Sequence, residues 1–273
     1  MGEKSNYYQS YYIMSANPTF GILWFSIATT IYAVVNYVTG KNGVGSPRKA
    51  TSIYFLIYAL VVIVGELVIN LNLTTDLCGS AQWGSTLLVT FVPWTLIFGT
   101  LVFILQMFPG WLSPFANTFG YIAAKLAGLN GVLEDILIAD PKGAPGKDKA
   151  MDEALAHIYT DKSLLVNAVT ISNFNFFWDN MKGVFKPSVY EDPAKRMSLW
   201  NMIWLKDVVA EYIWYMLAGV TVVSVGYNYL LSAGCSTSAA DMEKRHAEYQ
   251  QKMADQKAED EKSQEKRVYS SLE

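Results

Sequence analysis

Carboxylates inside otherwise apolar stretches are the residues of this chain that could do chemistry. Glu66 is the only charged residue of the stretch 53–71, and Glu211 is the only one of the stretch 208–231. A charge at membrane depth is costly and by default suggests a functional site, for example one that couples the movement of ions or protons. For Glu66 we expect a structural role, bonded to a neighbouring helix with help from Asn70, and we keep ion coupling as the alternative.

The two carboxylates do not predict a paired catalytic site. If both helices run in the same direction, Glu66 and Glu211 differ in depth by about ten residues, or roughly 15 Å at 1.5 Å per residue. Glu211 is the fourth residue of its stretch. We therefore expect its side chain to reach the membrane interface or to pair with Lys206.

Other chemical signatures are missing from the sequence. It contains no GxSxG, HExxH, CxxC or Walker motif, and its two histidines, His157 and His246, are far apart. A net charge of −3 gives no footprint for nucleic acid. The sequence thus predicts no enzyme, with no catalytic residues, no cofactor, no metal site and no nucleic-acid partner.

Four apolar stretches dominate the chain and run over residues 20–38, 53–71, 87–108 and 208–231. A hydrocarbon core about 30 Å thick needs roughly 20 residues of helix. The composition agrees, since 52% of the residues are hydrophobic and only 16% are charged. We predict an all-α, multi-pass transmembrane protein with four spanning helices.

The remaining sequence divides around these spans. The predicted parts are a tyrosine-rich tail (1–19), three spanning helices (20–108), a membrane-apposed helical region (109–207), a fourth span (208–231) and a charged tail (232–273). The charged tail is typical of a solvated helix or disorder, with a partner-binding helix as the alternative.

The distribution of Lys and Arg predicts the orientation of the spans. Most basic residues near the ends of the stretches lie in the loop 39–52 and in the region 109–207, which we therefore assign to the cytoplasmic face. Both termini would lie on the other face, together with Cys78 and Cys235. A disulfide between these two cysteines is then sterically possible, and two unpaired thiols are the alternative.

The most distinctive local string is FPGWLSPFANTFGY at 108–121, here called the corner segment. Pro109-Gly110 should end the third helix, and Ser113-Pro114 should form a second turn. Its aromatic side chains can wedge into the headgroup layer or against the fourth helix, or the segment can be a corner with no further role. The motif residues are Phe108, Pro109, Gly110, Trp111, Pro114, Phe115, Asn117, Phe119, Gly120 and Tyr121.

Followed by AAKLAG at 123–128, this string resembles a motif in membrane proteins of large algal DNA viruses, the phycodnavirus-like group. The resemblance implies a virion membrane or minor capsid protein of the internal lipid membrane beneath an icosahedral shell. Its location would be that membrane, and host endomembranes during assembly. Its partners would be the lipid bilayer and capsid or other membrane proteins. The resemblance transfers no catalytic residue.

The predicted function is structural anchoring by helix packing, in which small residues such as Gly65, Gly99 and Gly219 permit close approach, within one chain or in a homo-oligomer. A small ion- or proton-coupled channel or transporter subunit is one alternative, supported by Glu66 and by the kink expected at Pro93. An accessory subunit of an organelle membrane complex is another.

Overall fold

The computed structural model describes residues 18–44, 53–138, 156–157, 159–235 and 239–269. Residues 1–17 of the predicted tyrosine-rich tail lie outside these ranges. The described chain is helical, and a single isolated bridge joins Leu137 to Phe185. The helices are α1 (Thr19–Gly40), α2 (Ile53–Cys78), α3 (Trp83–Met107), α4 (Tyr121–Leu126), α5 (Leu129–Ile136), α6 (Lys162–Ala168), α7 (Phe174–Asn180), α8 (Pro193–Ser232) and α9 (Ala239–Tyr269).

Four helices, α1, α2, α3 and α8, are long and apolar enough to cross a membrane. The predicted all-α class with four spans is therefore confirmed. The helix α8 begins at Pro193, well before the apolar stretch predicted from residue 208, and has 40 residues. Its first part belongs to the region that the sequence analysis assigned to the membrane surface.

Helix α3 is interrupted in its middle. It is α-helical to Pro93, forms a π-helical turn over Trp94–Gly99, and is α-helical again from Thr100. Proline cannot donate to the preceding turn and its ring crowds the carbonyl four residues back, so a local widening of the helix follows. The rings of Trp94 and Phe98, both on this turn, are buried in the bundle.

Aromatic rings form the centre of the four-helix bundle. Tyr58 and Tyr215 stack with centroids 6.2 Å apart, and Phe98 packs 5.1 Å from Tyr215.

Small residues let the helices of the bundle approach one another. A Cβ atom added at Gly219 would overlap the ring of Phe25, whereas one added at Gly99 would have its nearest neighbour 3.6 Å away. Of the small residues predicted to permit close approach, Gly219 and Gly65 do so, since a Cβ atom at Gly65 would overlap the indole of Trp24, and Gly99 does not.

A second core lies between α5, α6, α7 and the first half of α8. Its fully buried side chains include Leu133, Phe174, Trp178 and Trp200. Helix α8 thus contributes its first half to this core and its second half to the bundle core. One continuous helix therefore joins the two cores.

The residues after Ser232 form a separate unit, Ala233–Glu273. Its helix α9 has 31 residues and a strongly polar sequence. The side chains described between residues 243 and 260 are exposed. The charged tail is therefore helical over this range.

Candidate functional site

The corner segment turns away from α3 at Phe108. This is the one residue between α3 and α4 whose backbone is not helical. A 3₁₀ turn follows over Pro109–Leu112, and a π-helical turn covers Ala116–Gly120. The second break expected at Ser113-Pro114 is not present, because Pro114 lies in the first turn of a short helix. Proline is tolerated there, since no intrahelical N–H bond is required.

Aromatic contacts fix one end of the corner segment to α8. The indole Nε1 of Trp214 donates to the carbonyl oxygen of Trp111 at 2.9 Å. The ring of Phe115 packs edge-on against Trp214 with centroids 4.9 Å apart. Of the two positions expected for the aromatic residues, Phe115 therefore adopts the one against the fourth span.

A buried lysine fixes the other end. Lys206 of α8 is 2% exposed, and its Nζ donates to Asn117 Oδ1 at 3.1 Å, to the Val166 carbonyl at 2.7 Å and to the Val169 carbonyl at 3.1 Å. An ammonium group has three donors. All three are used in this arrangement, which we call the Lys206 cluster (Lys206, Asn117, Val166 and Val169).

Gly120 brings the corner segment directly onto the backbone of α8. A Cβ atom at this position would overlap the carbonyl oxygen of Lys206. Lys206 and Trp214 are eight residues apart, about 12 Å along the helix axis. The corner segment is therefore held to α8 over about two turns.

The other motif residues lie around these contacts. Phe108, Trp111 and Phe119 each expose more than half of their surface, whereas Tyr121 packs against the second core. Pro109 and Gly110, with Asn117 and Lys206, line a cavity of about 330 Å³. Because the Lys206 ammonium is already fully bonded, this cavity has no free cationic donor from that residue.

The prediction that Glu211 reaches the interface or pairs with Lys206 is wrong. Its side chain is buried, accepts from Asn36 Nδ2 at 2.8 Å, and accepts from the Tyr215 hydroxyl at 3.0 Å. Asn36 belongs to α1, so the carboxylate joins two spans. Both of these donors are neutral, and their hydrogen bonds help to offset the cost of burying the carboxylate.

Glu66 is equally buried but differently surrounded. It is 2% exposed, and its Oε1 has no hydrogen-bond partner among the described residues. Asn70, expected to support it, instead donates from Nδ2 to Thr90 Oγ1 of α3 at 3.0 Å. The carboxyl group lies beside Gly21 of α1 and faces a cavity of about 450 Å³.

Cysteine chemistry is the remaining sequence prediction. Cys78 is the last residue of α2, and Cys235 follows α8. Both are disulfide-bonded. A shift on a non-reducing gel that is lost in Cys78→Ser tests the predicted bridge in the protein itself, and maleimide labelling of both native thiols would contradict it.

Among the described residues no group of three or more His, Cys, Asp and Glu side chains could hold a metal ion. No protein-family model, curated protein or solved structure matches the chain. The sequence pattern pointed to Lys206 only as a marker of orientation and as a possible partner of Glu211, not as the centre of this cluster. Nothing local in the sequence relates it to Asn117 or to residues 166–169, because these partners meet only in the folded chain.

Proposed function

We propose that this chain is a structural integral membrane protein that anchors an icosahedral protein shell to an internal lipid bilayer, as a minor capsid protein of a virion. Its mechanism is positioning by helix packing, without a chemical step. The Lys206 cluster is the observation that supports this most, because it fixes the corner segment and α6 to a helix long enough to span the bilayer.

An anchor must transmit force without changing shape, and the contacts around α8 suit that role. Trp200 Nε1 donates to the Gly40 carbonyl at 3.2 Å, and Trp204 Nε1 donates to the Asn36 carbonyl at 3.2 Å. These bonds tie the end of α1 to the same helix that holds the corner segment. A pull on the second core would therefore be shared by at least two spans.

The exposed parts of the chain supply surfaces for the bilayer and for protein partners. Phe108, Trp111 and Phe119 suit the bilayer interface, where aromatic residues are favoured. The polar helix α9 suits contact with protein outside the bilayer. The viral part of the proposal is supported by the resemblance of the corner segment.

Quantitative proteomics of purified particles against host membranes tests the location. We expect the chain to be enriched with the capsid proteins and to sediment with the shell after brief detergent treatment of the particles. The matched control is a membrane protein that contacts only lipid and is released completely by the same detergent. Recovery only from host organelles would remove the viral assignment.

A coupled channel or transporter is favoured by one observation, the buried Oε1 of Glu66, which has no hydrogen-bond partner within the described part of the chain. Proton flux into liposomes measures this directly. Flux above that of protein-free liposomes, abolished by Glu66→Gln and kept by Glu134→Gln, would replace the anchoring proposal with a transport function.

A further inference from the structure

The cavity beside Glu66 is bounded by three spanning helices. It has a volume of about 450 Å³, within the range typical of small-molecule sites. Leu23, Trp24 and Ile27 of α1 and Val223 of α8 supply an apolar wall. We call this space the Glu66 cavity.

Most of the polar lining comes from α2. Glu66, Asn70, Leu73 and Asp76 line the cavity at successive spacings of four, three and three residues, as expected for one helix face, and Ile69 and Asn72 line it beside them. Glu66 and Asn70 are buried, whereas Asp76 is exposed. The cavity therefore leads from a buried carboxyl group to an exposed one near the end of α2.

The charge of this lining is entirely negative. Glu66 and Asp76 line it, and no Lys, Arg or His does among the described residues. A carboxylate held in an apolar site needs a proton or a positive partner. A cationic ligand would provide that partner at Glu66 Oε1. The Asn70 amide nitrogen already donates to Thr90 Oγ1, so the Asn70 side-chain oxygen is the atom that could accept a second bond from the ligand.

The size and composition of the site decide the kind of cation. A divalent metal ion would need more oxygen ligands of high charge than one deep carboxylate, and the described residues contain no suitable cluster. A bare monovalent ion would leave most of the volume and the apolar wall unused. An accompanying phosphate, as in a zwitterionic lipid, would be repelled by Asp76 at the mouth.

We propose that the Glu66 cavity binds a lipophilic ammonium ion, that is, one positively charged amine carried on an apolar body. Glu66 is the counter-ion and Asn70 is a second acceptor. Trp24 provides an aromatic wall, a surface that suits ammonium groups. The apolar body packs against Leu23 and Ile27.

Gly21 makes room for this arrangement. A Cβ atom there would lie 3.1 Å from Glu66 Oε2 and 2.8 Å from Val223 Cγ1. Alanine at this position would keep the carboxyl group but narrow the space around it. Gly21→Ala is therefore a second variant that tests the cavity without removing its charge.

Native mass spectrometry of the full chain in detergent tests the proposal, with dodecylamine as the probe and dodecanol as the neutral probe of equal chain length. We expect one dodecylamine to be retained per wild-type chain, at least tenfold over dodecanol. Glu66→Gln should abolish the preference, and Gly21→Ala should reduce it. Glu134→Gln, which removes one negative charge from an exposed side chain of α5, should keep it.

Displacement of dodecylamine by an equal concentration of propylamine would overturn the proposal, because the apolar body would then be unnecessary. Failure of propylamine to displace it supports the role of the apolar body. Equal retention of dodecylamine and dodecanol by the wild type overturns the proposal. So does an amine preference that persists in Glu66→Gln. Circular dichroism and size-exclusion profiles like those of the wild type establish that each variant is folded. The anchoring proposal is independent of this result.

Discussion

Lys206 and Glu66 are both 98% buried, yet their surroundings are opposite. The ammonium group of Lys206 has three oxygen partners, which use all of its donors. The carboxyl group of Glu66 has an oxygen with no partner among the described residues, and it faces open space. Burial of an ionisable group therefore does not by itself indicate function. What distinguishes the two sites is whether the group's hydrogen-bonding capacity is already used.

The largest effect should come from removing the buried ammonium group. Lys206→Met removes the ammonium donor from the Val169 carbonyl and the Asn117 amide oxygen, and it leaves the Val166 carbonyl with only the 3.3 Å bond from the Val169 N–H. Each buried acceptor left unsatisfied costs about 1–3 kcal/mol. We expect the free energy of unfolding in detergent to fall by about 3 kcal/mol or more. Lys125→Met, at an exposed position of α4, is the control and should change little. Equal stability of the two variants would show that the Lys206 cluster is not structural.

The next prediction compares the room for a methyl group at Gly120, beside Lys206, with the room at Gly21, beside Glu66. Gly120→Ala would push a methyl group onto the backbone of α8 at Lys206, which cannot move away. Overpacking of this kind costs about 1–3 kcal/mol. Gly21→Ala meets side chains, Val223 and Glu66, which can shift more easily than backbone, so we expect a loss at the low end of that range, about 1 kcal/mol. Thermal unfolding in the same detergent measures both, and the reverse order would contradict the comparison.

Removing the charge at Glu66 should affect stability least among the buried positions. Glu66→Gln keeps the shape and loses no hydrogen bond made by Oε1, so we expect a change within about 1 kcal/mol. Denaturant unfolding measures it beside Lys206→Met. A loss as large as that of Lys206→Met would mean that the Glu66 carboxylate is structural after all.

The smallest effect on stability is expected for an exposed ion pair. Lys195 Nζ lies 2.7 Å from Asp135 Oδ2, and this hydrogen bond holds the pKa of Asp135 below its usual value of 3.8. A carboxyl group with a lowered pKa in the folded state stabilises the protein above its ordinary pKa, and this contribution disappears as the pH falls through the lowered value. Wild type and Asp135→Asn should therefore differ slightly at pH 6 and converge towards pH 2. The difference should shrink in high salt, and unfolding curves at several pH values check it.

Much of the fold could be predicted, because hydropathy averaged over twenty residues detects the condition for crossing a bilayer. The four spans and the break after Met107 follow from that pattern and from Pro109-Gly110. The start of α8 at Pro193 could not be found this way. Charged residues such as Lys195 lower the local hydropathy, while the helix continues through them and is stabilised by the packing of Leu199 and Trp200 in the second core.

The candidate sites were harder to predict for a related reason. Glu66 stood out because a lone charge in an apolar stretch is visible in the sequence. One partner of Glu211 is Asn36, 175 residues away, and no local spacing points to that pair. Lys206 is similar, since its acceptors come from the corner segment and from α6. Groups satisfied by distant partners are found only once the chain is folded.

The 40 residues of α8 make a rod about 60 Å long, roughly twice the thickness of the hydrocarbon layer. The portion that the lipid does not cover carries Trp200 and Ile203 in the second core. No hinge separates the two portions, so any tilt of the rod in response to a thinner or thicker bilayer would swing that core by the same angle. The height of the second core above the lipid surface would thus change with local bilayer thickness, and so would the position of any protein bound to that core.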